Sequence, residues 1–483
     1  MATSHVLVFP FPVQGHINCM LHFATTLAGA GVHVTFLHTE HNLRRLGGRA
    51  TSAPGSPRLR FASVPDGLPD DHPRSVANLV ELYRSLAAEA TGPYRSLLAP
   101  SPTTVGGVDQ GSGFPPVVTC LVADGLLPWA FDISEELRVP AIAFRTASAC
   151  TFLAFLCVPK LLDLGDLPFP AGGDLDEQVR GVPGFGNLLR RRDLPAYFRR
   201  PNETDDGVDP VLHILAELSD RSSKARALVL NTAASLEQVA LSHIAPHMRD
   251  LFAVGPLHAM SPAPAAASSS LWREDDGCLA WLDSQADRYV VYLSMGSLAV
   301  ISPEQVTELL RGLVATGYPF LWVLRSDMAV ASQDAALQEA ATAAGGQKAR
   351  IVAWAPQRDV LRHRAVGCFL THAGWNSTVE AVVEGVPMVC WPFSADQQMN
   401  SRMVGAVWRT GMDMKDVCDR AVVERMVREA MESAEIRRSA QALAQQVKRD
   451  VAAGGSSATE FERLVGLIRE LSTSGVTPGH SQG

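Results

Sequence analysis

The strongest constraint on the fold is an alternation of short apolar runs with segments of helical spacing, begun twice along the chain. HVLVFPF at residues 5–11 reads as a buried strand, an apolar run closed by turn residues. INCMLHFATTLAGAG has helical spacing and ends on glycine, and VHVTFLHT is a second strand. Strand, helix, strand at this spacing is a βαβ unit, which requires parallel pairing. The pattern continues through VVTCLVADG, LPWAFDISEELR, VPAIAFRT and ALVLNTAASLE, interrupted by a Gly/Pro/Ser-rich loop at 99–116. Residues 256–275 contain SPAPAAASSS, poor in apolar bulk, and read as a linker. The alternation then restarts with RYVVYLSMGS, ISPEQVTELLRGLVATG, FLWVLR, an alanine-rich helix at 328–347, ARIVAWAP, VGCFLTHAG, NSTVEAVVEG and VPMVCWPFSAD. Ser302, Pro303 and Gln305 supply the cap, the first-turn proline and the capping-box partner of the helix after the first of these strands. Helices near 421–433 and 435–453, followed by SSATEFERLVGLIRE, complete the pattern, and the Gly/Ser/Thr-rich last ten residues read as a frayed tail. The expected class is α/β: two Rossmann-like doubly wound domains facing across a cleft, at 1–255 and 276–455.

Bulk properties narrow the function. A chain of 483 residues is long enough for about two to four domains. Its 47% hydrophobic and 19% charged residues fit a globular protein, and a net charge of −8 speaks against nucleic acid as partner. The eight cysteines are scattered, with no Cys-x-x-Cys pair to suggest a zinc site or a redox dithiol. No signal peptide is read at the N-terminus, and no apolar run has the roughly 20 residues that span a bilayer. No membrane insertion and a cytoplasmic address are expected. The basic run RDLPAYFRR near 192–200 reads as a solvated face.

Polar groups gather at the carboxyl ends of the expected strands, where open α/β sheets bind ligands. His16, in the loop after the first strand, Asp124 and Thr146 mark one rim; Ser297, Trp354, His372 and Asp396 mark a second. Taken singly, most have an ordinary reading as cap, core or surface residue. The chain lacks Gly-x-Gly-x-x-Gly after its first strand and lacks GxxxxGK[ST], which disfavours a nicotinamide-dependent oxidoreductase and a P-loop NTPase. The stretch Trp354–Gln397 nevertheless has what a nucleotide needs. A helix opening at Asn376 and Ser377 after Gly374 offers free backbone N–H groups to a diphosphate. Glu380, one turn on, suits a ribose diol, and Trp354 can stack on a flat base. Asp396 and Gln397 pair acceptor with donor capacity, as sugar hydroxyls require.

This stretch, with landmarks WAPQ, THAGWNSTVEA, GVPMV and WPFSADQ, resembles the 44-residue signature of plant UDP-glycosyltransferases that act on small molecules. The resemblance extends to PVQGH, VADG, FRTASA, VLNTAASLE and VGPLH, and so covers most of the chain. It implies the GT-B fold, with acceptor bound by the N-terminal domain and UDP-sugar by the C-terminal one, and a final helix at 456–472 returning to the N-terminal domain. It implies Trp354 stacking on uracil beside Ala355 and Gln357, and Glu380 on the ribose. His372, Asn376, Ser377 and Ser297 would contact the diphosphate, and Trp375, Asp396, Gln397 and Thr146 the sugar. His16 would be the catalytic base and Asp124 its partner. The terminal Gln implies UDP-glucose as co-substrate; the resemblance implies a phenolic, flavonoid or terpenoid acceptor, a single inverting displacement gives a β-glucoside, and no metal, no other cofactor and a monomeric enzyme are expected. Ala373, Cys19 and Met295 depart from residues frequent in the family, without removing a group the chemistry uses. A nucleotide-sugar-binding protein of the same fold that does no chemistry is the alternative; it would not need His16 and Asp124.

Overall fold

The structure is a computed structural model. It describes residues 3–47, 56–74, 78–99, 114–115, 117–170, 172–199, 207–261, 271–297, 299–325 and 348–474. Most of the loop at 99–116, the centre of the linker, the helix read at 328–347 and the tail fall outside these residues. The chain forms two compact units: Met1–Phe152 with Leu215–Leu271 and Asp450–Gly483, and Leu153–Ile214 with Trp272–Arg449.

The first unit is built on seven parallel strands: β1 (His5–Phe9), β2 (His33–Thr39), β3 (Leu59–Val64), β4 (Cys120–Asp124), β5 (Ala141–Arg145), β6 (Ala227–Leu230) and β7 (Leu251–Ala253). Their order is β3-β2-β1-β4-β5-β6-β7. Both faces of this sheet are covered, which is why inner strands such as β1 and β6 read as apolar runs. Successive residues of β1 go to opposite cores. Val6 and Val8 pack with Met20, Phe23 and Leu27 of the helix Gln14–Gly29 and with Leu464 and Ile468 of the helix Ser456–Ser474. Leu7 and Phe9 pack with Leu82, Leu86 and Tyr94 of the helix Leu79–Leu98 and with Ile133 of the helix Pro128–Glu136.

The second unit repeats the plan with six parallel strands: β8 (Val290–Ser294), β9 (Phe320–Val323), β10 (Ala349–Val352), β11 (Val366–Thr371), β12 (Met388–Cys390) and β13 (Gly411–Asp413), in the order β10-β9-β8-β11-β12-β13. The helix Pro303–Thr316 carries the expected capping box: Ser302 Oγ accepts from the Gln305 amide, and Gln305 Oε1 accepts from the Ser302 amide. With the helix Arg420–Glu432 it covers one face around Leu293, Trp322 and Leu370.

Each strand order reverses at one point, between β1 and β4 in the first sheet and between β8 and β11 in the second. There the connections leave to opposite sides and open a crevice at the carboxyl ends. His16 follows β1 and Asp124 ends β4; Ser297 follows β8 and His372 follows β11. Both pairs of sequence-derived candidates therefore sit at switch points. His16 lies one step further than the sequence reading placed it: the helix starts at Gln14, so His16 belongs to its first turn rather than to the loop. The run at 192–200 also differs from a solvated face. Asp193 is fully buried, and Arg192 and Arg199 both pair with Asp416.

Candidate active site

In the first unit His16 Nδ1 lies 2.5 Å from Asp124 Oδ2. Asp124 is 1% exposed, whereas the His16 side chain keeps 23% of its surface, so a buried carboxylate orients a ring that solutes can reach. The Asp124 carboxylate is fixed from behind: Oδ2 also accepts from the Phe11 amide at 3.3 Å, and Oδ1 from the Leu126 amide at 3.0 Å. Burial alone would raise the Asp124 pKa, but the His16 ring, the Leu126 amide and the Arg145 guanidinium outweigh it and hold the group below its ordinary value. A carboxylate on Nδ1 leaves Nε2 as the basic atom. Thr146 Oγ1 is 3.1 Å from Nδ1 and 3.4 Å from Nε2 of the same ring.

The second unit gathers the groups of the Trp354–Gln397 stretch into three clusters. In the first, Gln357 Nε2 donates to Glu380 Oε2 at 2.7 Å and to Ser377 Oγ at 3.0 Å, while its Oε1 accepts from the Tyr292 hydroxyl at 3.3 Å. Burial raises the Glu380 pKa, against the opposing pull of Gln357 and Arg358. Trp354 stacks on Trp272 with ring centroids 5.7 Å apart, and Ala355 beside it is buried.

The second cluster surrounds His372. A Cβ on Gly296 would come within 2.5 Å of its ring, and so would one on Gly374, so both glycines are needed for the ring to lie where it does. Burial lowers the His372 pKa to about 4, with the Ser294 backbone opposing and Arg325 assisting. At neutral pH His372 is therefore an uncharged hydrogen-bonding group. Positive charge comes from Arg325, 3% exposed, which donates to the Gly296 and Ala299 carbonyls and so ties the turn holding Ser297. Gly374 caps the helix Trp375–Glu384, and Asn376 and Ser377 lie in its first turn. Trp375 is 3% exposed and packs near Trp408. In the third cluster, Asp396 precedes the helix Gln397–Arg402. Gln397 Oε1 accepts from the Phe393 and Ser394 amides at 2.8 and 3.0 Å. Its acceptor is thus engaged by the backbone, and its amide nitrogen is a donor.

Comparison with known proteins shows the family. Residues 213–445 match the family described as UDP-glucoronosyl and UDP-glucosyl transferase, and residues 3–57 match a glycosyltransferase N-terminal domain. The myricetin 3-O-rhamnoside 1,2-glucosyltransferase of Crocosmia x crocosmiiflora is 43% identical over 98% of this chain and 97% of its own. The chain belongs to the plant UDP-glycosyltransferase family.

A 7-deoxyloganetic acid glucosyltransferase of Catharanthus roseus is 41% identical over 97% of this chain and 98% of its own. Among solved structures, Os79 of O. sativa in complex with UDP superposes with a TM-score of 0.77 at 28% identity, over 96% of this chain and all of that one. A UDP-glucose: anthocyanidin 3-O-glucosyltransferase in complex with UDP gives a TM-score of 0.80 at 25% identity, over 97% of this chain and 99% of that one. Both units of the transferase are thus those of the GT-B fold.

Thr146, which the resemblance assigns to the sugar, hydrogen-bonds the His16 ring in the first unit, whereas the other expected donor residues all belong to the second. Four contributors escaped the sequence reading: Tyr292, Trp272, Arg145 and Arg325. The two arginines left a signal. Each ends an apolar strand run, FRT and VLR, where a charge has no place unless it is paired and buried. Trp272, next to the Pro/Ala/Ser-rich stretch, was legible only as a lone aromatic.

Proposed function

We propose that this transferase moves glucose from UDP-glucose to a hydroxyl or carboxyl of a small phenolic, flavonoid or terpenoid acceptor, in one displacement that inverts the anomeric centre. His16 Nε2 takes the acceptor proton as the oxygen attacks, and Asp124 holds the ring in the required tautomer and stabilises the imidazolium that forms. Thr146 steadies the ring. In the second unit uracil stacks on Trp354, whose indole Trp272 backs, and the ribose diol donates to Glu380. The diphosphate meets the Asn376–Ser377 turn, His372 and Ser297, with Arg325 supplying charge to the leaving UDP. Asp396 accepts from sugar hydroxyls, and Gln397 donates to them.

The observation that carries the reading is the 2.5 Å contact between a buried carboxylate and a partly exposed histidine at the switch point of the first sheet. We take the enzyme to need no metal, because His372, the helix N-terminus at Asn376 and Arg325 can stabilise the leaving UDP. We take it to act as a cytosolic monomer. The test is His16→Ala. Transfer to alcohol acceptors should fall by about 10²–10⁴-fold, the typical contribution of a general base, while UDP binding by calorimetry stays nearly unchanged. Full transfer activity in this variant refutes the assignment.

A further inference from the structure

The helix Gln397–Arg402 runs directly into a π-helical turn at Met403–Val407, and the two together are too short to be stable by themselves. Nearly every residue in it is tied to a different part of the second unit. Gln397 caps the Phe393–Ser394 turn, and Asn400 Nδ2 donates to the Ala373 carbonyl at 2.9 Å. Ser401 Oγ bonds Asp413, and Arg402 Nε donates to the Leu188 carbonyl at 3.0 Å. The Gln398 carbonyl accepts from Lys415 Nζ at 3.0 Å.

Lys415 is the centre of this arrangement. Its three ammonium protons meet three acceptors: the Gln398 carbonyl, Asp193 Oδ1 at 2.7 Å and Asp413 Oδ2 at 3.1 Å. Its φ of 52° is left-handed, which a non-glycine residue adopts at a cost unless its surroundings impose it. Asp193 is fully buried and is gripped from its other side by the Arg190 amide and guanidinium at 2.9–3.1 Å, with Arg402 Nε at 3.4 Å. A buried ion network of this kind adds little net stability, yet it admits few alternative geometries.

We infer that Asp193 and Lys415 are positioning residues for donor-sugar recognition: the ion pair, anchored on the 188–193 segment, sets the place of the helix that presents Gln397 and follows Asp396. This rests on the reading that Asp396 and Gln397 hold the sugar. The consequence is that residues of the first half of the chain, far from the Trp354–Gln397 stretch in sequence, govern how well the sugar of UDP-glucose is read.

The test compares UDP with UDP-glucose on the full chain, by calorimetry and by KM and kcat, for Asp193→Asn, Lys415→Met, Ser401→Ala and Gln397→Ala. A small misplacement of a binding group costs about 10- to 100-fold. Asp193→Asn and Lys415→Met should raise the UDP-glucose Kd and KM by about that factor, leave the UDP Kd nearly unchanged, and narrow the preference for UDP-glucose over UDP-galactose. Their effects should not multiply in the double variant, because they break one network. Ser401→Ala removes no charge and should show a smaller shift of the same kind, so it carries the test if either charge variant fails to fold. Equal weakening of UDP and UDP-glucose would mean a merely structural role and overturns the inference. So does wild-type UDP-glucose binding in Asp193→Asn and Ser401→Ala while Gln397→Ala is impaired. If Gln397→Ala itself binds both ligands normally, the sugar assignment falls first and the inference with it.

Discussion

Replacing Asp124 with Asn tests the proposed catalytic pair with little change of shape. The two carboxylate oxygens have separate tasks: Oδ1 accepts from Leu126, and Oδ2 accepts from Phe11 and faces His16 Nδ1. An amide has one acceptor. If its oxygen stays on Leu126, its NH₂ meets the Phe11 amide and forces the proton of His16 onto Nε2, the atom proposed to act as base. If it flips, a donor meets the Leu126 amide. Either way the charge opposite the forming imidazolium is gone. Two unit charges about 4 Å apart at an effective dielectric constant of about 20 attract by about 4 kcal/mol. At about 1.4 kcal/mol per factor of ten, kcat should fall by about 10²–10³, and more if the wrong tautomer dominates. The assay is UDP release at saturating UDP-glucose with an acceptor found by panel screening, alongside UDP calorimetry. A variant with kcat within about fivefold of wild type, or one that loses UDP affinity in step with activity, would refute the reasoning.

Three further perturbations address the second unit. The Glu380 pKa is raised by burial, so the carboxylate proposed to accept from the ribose is lost as pH falls through a value above the ordinary ~4.3. Uridine affinity should therefore decline on acidification at a higher pH than a free Glu predicts, and Glu380→Gln should abolish that dependence in calorimetric titrations. Trp354→Ala should raise the UDP Kd by about 5- to 150-fold, the worth of about 1–3 kcal/mol of base stacking, with kcat at saturating donor nearly intact. Gly296 has a φ of +71° and a Cβ there would lie 2.5 Å from His372, so Gly296→Ala should displace the ring or the turn. Loss of UDP affinity and a Tm lowered by a few degrees, consistent with about 1–3 kcal/mol of strain, are expected; wild-type UDP binding would contradict the packing described.

How much of this was legible in the sequence depended on the kind of interaction. Strands such as VVTCLVADG and VGCFLTHAG could be read because a parallel strand covered on both faces is an apolar run. The strands β7 and β13 have three residues each, too short for any periodicity to register. Strand order leaves no trace in one sequence, so His16 and Asp124 could be placed on a common rim but not on adjacent strands. The Trp354–Gln397 stretch was readable because its groups are close in sequence. The membership of residues 153–214 in the second unit was not: among the ties that fix that segment, the one from Asp193 to Lys415 joins two charged residues in unremarkable surroundings. The same tie explains why a run that looked like solvated basic surface contains a fully buried aspartate.

The helix Ser456–Ser474 imposes an order on biosynthesis. Phe461, Leu464, Val465 and Ile468 belong to the same core as β1, and the Ser457 hydroxyl bonds the Gly255 carbonyl. A ribosome making about 5–20 residues per second releases Leu271 and then needs roughly 10–40 s to deliver that helix. Throughout that interval the helix Gln14–Gly29 covers Val6 and Val8, but the apolar face around Phe23 that meets Phe461 waits for its cover while the second unit is being made. The first unit emerges first and is completed last, so a nascent chain stalled before residue 456 should recruit chaperones through that face, and deleting the helix should cost yield before it costs specific activity.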